Sequence, residues 1–155
     1  MLKLFKQIII FIIFNLKKIV DLHCKHCKIQ YKILQMEHNR ITQSFITELQ
    51  KDEIFVFGSN LSGSHGGGAA KIAYEKFGAI WGQGVGLQGQ SYGIPTMHGG
   101  VDKIKPYVDE FIKFAKNNPK LKFLVTPIGC GIAGFKPSQI APLFKECVNL
   151  ENVWL

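Results

Sequence analysis

The 155-residue chain is predicted to fold as an α/β sandwich around a mixed, largely parallel sheet. Three features carry that expectation. Short apolar runs alternate with segments of helical periodicity. The two strongest runs, Ile54–Phe57 and Lys122–Ile128, each lead into a glycine-rich loop and then into a helical pattern. The 16 glycines cluster between 58 and 100 and between 129 and 134, so they are positional, as close backbone approach or positive φ requires.

Taken in order, Thr42–Gln50 has the spacing of a short amphipathic helix, with Phe45, Ile46 and Leu49 on one side. Ile54–Phe57 is the first strand. Ala69–Phe77 is helical, and Gly78 is placed to stop it. Trp81 to Gln90 is a second glycine-dense loop. Ser91–Thr96 is a short strand ending at Pro95, and Met97–Gly100 is a turn. Ile104–Asn118 is the clearest helix, with Val108, Phe111, Ile112 and Ala115 in one stripe and charges opposite. Asn117-Asn118-Pro119 ends it. Lys122–Ile128 has a continuous apolar centre, the mark of a strand buried on both faces. Pro137 and Ser138 open a helix through about Cys147, and Val153–Leu155 begins a last strand. In such sheets the loops at the strand C-termini gather along one edge, where ligands bind.

Residues 1–35 read unlike the rest. They hold seven Lys and one Asp, whereas residues 36–155 hold 12 Lys/Arg against 10 Asp/Glu. The net charge of +8 therefore belongs mostly to the N-terminal stretch, and no nucleic-acid-binding surface is expected. The apolar run Ile8–Phe14 is seven residues, far short of the roughly 20 that span a bilayer. It has the length of a signal-peptide core, but no small-residue cleavage site follows. His23-Cys24-Lys-His26-Cys27 supplies half of a zinc site without a second pair, so no metal is expected. The stretch reads either as a basic tail, flexible or touching a membrane surface, or as an upstream extension with Met36 as the natural start. We favour the second, with one domain over 36–155. The four cysteines form no disulfide framework, which points to a reduced, cytoplasmic setting.

The chemistry-bearing residues lie in the loops. The first offers Asn60, His65 and the run Gly66, Gly67, Gly68. Bare backbone N–H groups at a helix start suit a phosphate or pyrophosphate. It is not a Walker A loop, because Lys71 follows Ala70 and no Ser/Thr comes after it. The third loop matches Gly-x-Gly-x-x-Gly at Gly129, Gly131 and Gly134. It lies too near the C-terminus to open a dinucleotide-binding βαβ unit, so the phosphate expectation survives and a dehydrogenase does not. In the second loop Gln83, Gln88 and Gln90 either bind a sugar or base or are simply solvated. The acid–base candidates are few. His65 and His98 sit in loops, Asp102 follows the second, and Cys130 lies between two glycines.

The two outer loops together resemble the ligand loops of macrodomains. The residues are Asn60-Leu61 followed by Gly66-Gly67-Gly68-Ala69-Ala70, and Pro127-Ile-Gly-Cys-Gly-Ile-Ala-Gly-Phe135. Phe55–Asn60 and Gly89–Thr96 look like small macrodomain-like proteins of bacteria and their phages. The resemblance spans roughly 54–147. It implies a three-layer α/β/α fold and a nucleotide partner of the ADP-ribose kind, free or carried on an ADP-ribosylated protein, in the cytoplasm of the cell or of a phage host. It implies that Asn60 contacts the distal ribose. Backbone N–H groups of Gly66 to Gly68 and of Gly131, Ile132, Ala133 and Gly134 would hold the diphosphate, with Gly129 and Cys130 in the same ligand loop and Phe135 packed near. No further cofactor is implied. The hydrolytic branches of the family carry acids where this chain has Ala69, Ala70 and Ala133, and a Lys where Ile94–His98 has none. ADP-ribosyl hydrolysis is therefore expected to be weak. The alternatives are a phosphoribose hydrolase using the loop His and Asp residues, or a partner-binding α/β module.

Overall fold

The computed structural model describes residues 40–155; the expectations for residues 1–35 and for Met36 lie outside them. Five strands form one sheet in the order β2-β3-β1-β4-β5, with β1 at Glu53–Ser59, β2 at Gly86–Gln88, β3 at Ser91–Pro95, β4 at Lys122–Val125 and β5 at Val153–Trp154. Strand β1 pairs in parallel with β3 on one side and β4 on the other, and β4 pairs in parallel with β5. Only β2 runs antiparallel, against β3. The sheet is thus mixed and mostly parallel.

Central placement explains the unbroken apolar run of β1. Successive side chains point to opposite faces. Ile54 and Val56 pack on one face with Tyr92, Ile94, Phe123 and Val125. Helix α2, Val101–Asn117, covers that face through Val108, Phe111 and Ile112. Helix α3, Pro137–Ile140, and the 3₁₀ segment Ala141–Asn149 add Ile140, Phe144 and Cys147. Phe55 and Phe57 point the other way, onto Ala70 and Ala73 of helix α1, Gly68–Lys76, and onto Phe77. Helices therefore cover both faces. Among the described residues, no helix is long and apolar enough to cross a membrane.

Three local expectations differ from what is observed. Thr42–Gln50 is irregular rather than helical. Its backbone is taken by the sheet edge: Leu155 N–H donates to Arg40 O at 3.1 Å and Thr42 N–H to Leu155 O at 3.0 Å. Arg40 also sends its guanidinium to the carbonyls of Val148 and Leu150, at the end of the 3₁₀ segment, where cations are favoured. Nine residues with two Thr, one Ile and one Phe make a poor isolated helix, and the edge pairing wins. Ile46 and Leu49 pack against the Phe55 cluster, and Phe45 is left exposed. Second, the glycine-dense segment contains strand β2, too short and too rich in glycine to show a period of two. Third, the helix expected through Cys147 is α-helical for one turn and then 3₁₀.

At the start of the sheet, Lys122 ties β4 to β1. Its Nζ lies 2.9 Å from Glu53 Oε1 and 3.8 Å from the Trp154 ring centroid. Burial pushes the Glu53 carboxyl up, but the Gln50 N–H and the Lys122 ammonium together outweigh it and hold the group below the usual carboxylate range. A depressed carboxyl stabilises the fold above its unfolded pKa, and that stability is lost as pH falls through the folded one. Glu53→Gln is accordingly expected to lower stability by about 1 kcal/mol at neutral pH, with the gap closing below about pH 4, read from denaturant midpoints at each pH.

Candidate functional site

Because β1, β3 and β4 are parallel, their C-terminal ends open together. A cleft of ≈ 190 Å³ forms there. Gly58, Ser59 and Asn60 contribute from the end of β1, Thr96 and Met97 from the end of β3, and Thr126, Pro127 and Gly129 from the end of β4. Ser64 and residues 67–70 close one side, and Gly131, Ile132 and Ala133 the other.

The first side is a helix N-terminus. Gly67 caps α1 without a side-chain bond, and Lys71 N–H is the first to reach back, to Gly67 O at 3.2 Å. The N–H groups of Gly68, Ala69 and Ala70 find no acceptor among the described residues, as the geometry of a first turn dictates. Gly68 takes a φ of +57, open to glycine at little cost.

The opposite side is a tight loop after β4. Cys130 N–H donates to Pro127 O, Gly134 N–H to Gly131 O at 2.9 Å, and Phe135 N–H to Gly129 O at 3.0 Å. Between these bonds, the N–H groups of Gly131, Ile132 and Ala133 are left without an acceptor among the described residues. The two sides meet at Ile132. It is 71% exposed, yet its Cδ1 is 3.2 Å from where a Cβ on Gly67 would sit.

Asn60 is held within its own loop. Its Oδ1 accepts from Ser64 N–H at 2.9 Å and from the Ser62 hydroxyl at 2.7 Å, and its Nδ2 donates to Ser64 O at 2.7 Å. This orientation is fixed by the Ser64 backbone, and it leaves Asn60 one N–H to offer a ligand.

His65 is 1% exposed and does not line the cleft. Its Nε2 faces two carbonyl oxygens, Ile80 O at 3.0 Å and Gln83 O at 3.1 Å, so that nitrogen carries the proton. The ring lies edge-on to Phe57 and near Trp81. His65 thus joins the first loop to the second. The glutamines brace the second loop itself and its approach to the sheet. Gln88 accepts from Ile80 N–H at 2.6 Å and donates to Gln83 O, and Gln83 donates to Val85 O and Leu87 O. Gln90 donates to Gln50 O. These side chains satisfy buried backbone groups and are taken up by the fold.

His98 and Asp102 also lie outside the cleft lining and form no hydrogen bond or ion pair with each other. His98 Nε2 donates to Lys103 O at 3.1 Å, and its ring edge meets Tyr107. Asp102 is exposed in the first turn of α2. Gly66, Cys130, Gly134 and Phe135 are not among the residues that line the cleft. Phe135 packs on the core and fills the space beside Gly129, whose φ is +70. The fold brings together Asn60, Gly67, Gly68, Gly129, Gly131, Ile132 and Ala133 from the expected set.

The lining also holds residues that motif reading passed over. Thr96 and Thr126 each follow a parallel strand directly, and each sends both N–H and hydroxyl to one carbonyl of β1. For Thr96 the acceptor is Ser59 O, at 2.9 and 3.3 Å; for Thr126 it is Val56 O, at 3.0 and 2.8 Å. The rule that ligands sit at strand C-termini was the signal that points to them.

Among the described residues the lining contains no Lys, Arg, His, Asp or Glu. No group of three His, Cys, Asp or Glu side chains among them is placed to hold a metal ion. Comparison with protein-family models, curated proteins and solved structures finds no match for this chain.

Proposed function

We propose that this protein is a macrodomain-like module that binds ADP-ribose or a related NAD-derived nucleotide by its diphosphate, as a binder rather than an acid–base catalyst. One observation carries the reading. Unengaged N–H groups on both loops, among them the six of Gly68, Ala69, Ala70, Gly131, Ile132 and Ala133, belong to residues lining a cleft that has no ionisable side chain among the described residues. A diphosphate is the anion suited to two such sets, since its oxygens accept on both sides. The helix N-terminus adds favourable potential. The narrower assignment rests on the resemblance of Asn60 to Ala70 and of Pro127 to Phe135 to macrodomain ligand loops. Ala69, Ala70 and Ala133 line the cleft where hydrolases of that kind carry acids. Any ADP-ribosyl hydrolysis would then draw on strain at the distal ribose, not on a protein base. An ADP-ribosylated protein is the macromolecular partner this reading admits.

Calorimetry of the full chain with ADP-ribose, ADP, AMP and NAD tests it. ADP-ribose is expected to bind with a Kd in the range of about 1–100 μM, and no product should accumulate from an ADP-ribosylated protein. Affinity should stay flat between about pH 6 and 9, because no His among the described residues lines the site. Silence with all four ligands at about millimolar concentration would sink the proposal. A roughly tenfold change in affinity centred near pH 6.5 would put a histidine in the site and revive the enzyme reading.

A further inference from the structure

The cleft is small and chemically one-sided. Its ≈ 190 Å³ falls below the ≈ 300 Å³ at which pockets for drug-sized ligands begin. Its rim donates through the six N–H groups. At its strand ends, Thr96 and Thr126 have committed their hydroxyl hydrogens to Ser59 O and Val56 O, so each hydroxyl oxygen is left as an acceptor. Donors for an anion beside acceptors for hydroxyl hydrogens match a phosphorylated sugar.

Among the described residues, the lining offers no flat side chain on which a nucleobase could stack. Proteins that read bases stack them on aromatic side chains or Arg planes and hydrogen-bond their edges. Among the described residues the lining has no Phe, Tyr, Trp, His or Arg, and no carboxylate to accept from an exocyclic amine. The nearest exposed aromatic, Trp81, backs the loop at Gly66 and pairs edge-on with Tyr74, outside the cleft.

We infer that this protein recognises the ribosyl phosphate part of its ligand and leaves the base unread. Its ligand class is accordingly ribose 5-phosphate esters in general, of which ADP-ribose is one. This rests on the diphosphate-binding reading above, and the experiment separates the two.

Affinities of the full chain are measured for ribose 5-phosphate, pyrophosphate, ADP-ribose and its hypoxanthine counterpart. The two dinucleotide-like ligands are expected to agree within about threefold, and ribose 5-phosphate to bind measurably without any base. If ADP-ribose binds more than about 30-fold tighter than the hypoxanthine compound, the base is read and the inference fails while the binding proposal stands. If ADP-ribose itself does not bind, both fail. Thr126→Val tests the hydroxyl. The fold keeps the Val56 carbonyl satisfied, because Thr126 N–H donates to it at 3.0 Å. The variant should lose about five- to tenfold for ribose 5-phosphate and stay within about twofold for pyrophosphate. Equal losses for both ligands would make Thr126 merely structural, and no loss for either would remove the sugar from that end. Either result overturns the inference. Trp81→Ala should leave the ADP-ribose affinity unchanged; a selective loss for ADP-ribose over ribose 5-phosphate would place the base on that ring and also overturn it.

Discussion

Gly131→Glu is expected to fold as the parent chain does and to bind ADP-ribose about 10- to 100-fold more weakly. Gly131 is exposed, and a Cβ built on it meets nothing within 4 Å. The position therefore accepts a side chain with a stability change within about 0.5 kcal/mol, as for other open surface sites. The carboxylate would stand beside the free N–H groups of Gly131, Ile132 and Ala133. There it repels the diphosphate and competes for the same donors. Gly131→Gln, of similar size and no charge, should keep most of the affinity. Calorimetry and thermal melts on both variants decide the matter. Unchanged affinity in Gly131→Glu would mean that the anion is not held by this loop.

Gly84→Ala should have the opposite signature, a large loss of stability. A Cβ there would lie 1.9 Å from Asn60 O and 3.0 Å from Asn60 C, both backbone atoms that no rotamer change can move. The same contact is locked from the other side: Gly82 N–H donates to Gly63 O, and a Cβ on Gly63 would meet Gln83 N at 2.3 Å. The first and second loops are thus backbone against backbone, with His65 bonded across the junction to Ile80 O and Gln83 O. We expect a cost of about 2–4 kcal/mol, and weakened ligand binding because the Asn60 loop must shift. Gly82→Ala is the control. It has open space and only an unfavourable φ of +93, so it should cost about 1 kcal/mol. Equal melting temperatures for the Gly84 and Gly82 variants would refute the close approach.

The pairing of these two variants shows why glycine spacing alone misleads. Gly82 to Gly89 left a ligand loop and a merely solvated one equally open, where Gly66 to Gly68 pointed to an anion. Yet Gly84 is there to let one backbone lie on another, whereas Gly131 is there with nothing against it. Both read as the same letter in the chain. Likewise Gln83 and Gln88 have the look of ligand-binding side chains, and His65 of a general base, until their hydrogen-bond partners are known. All three end on backbone atoms, the glutamines within their own loop and His65 as many as 18 residues away.

What the chain determined alone was periodic or local. The apolar run of β1 and the buried centre of β4 announced parallel central strands. The stripe of Val108, Phe111, Ile112 and Ala115 announced α2, and strand–glycine–helix succession placed two loops at one sheet edge. Those signals survive in a short window because they record which way each side chain faces. Tertiary structure decided everything that depended on a distant partner. Arg40 reaches carbonyls 108 and 110 residues on, and its strand-like pairing with Leu155 kept Thr42–Gln50 from becoming a helix. The short strand β2 exists because β3 offers it an edge. The six N–H groups of the cleft are defined by what they do not bond. That is settled only when every other donor and acceptor has been placed, since a buried polar group takes whatever partner the fold brings to it.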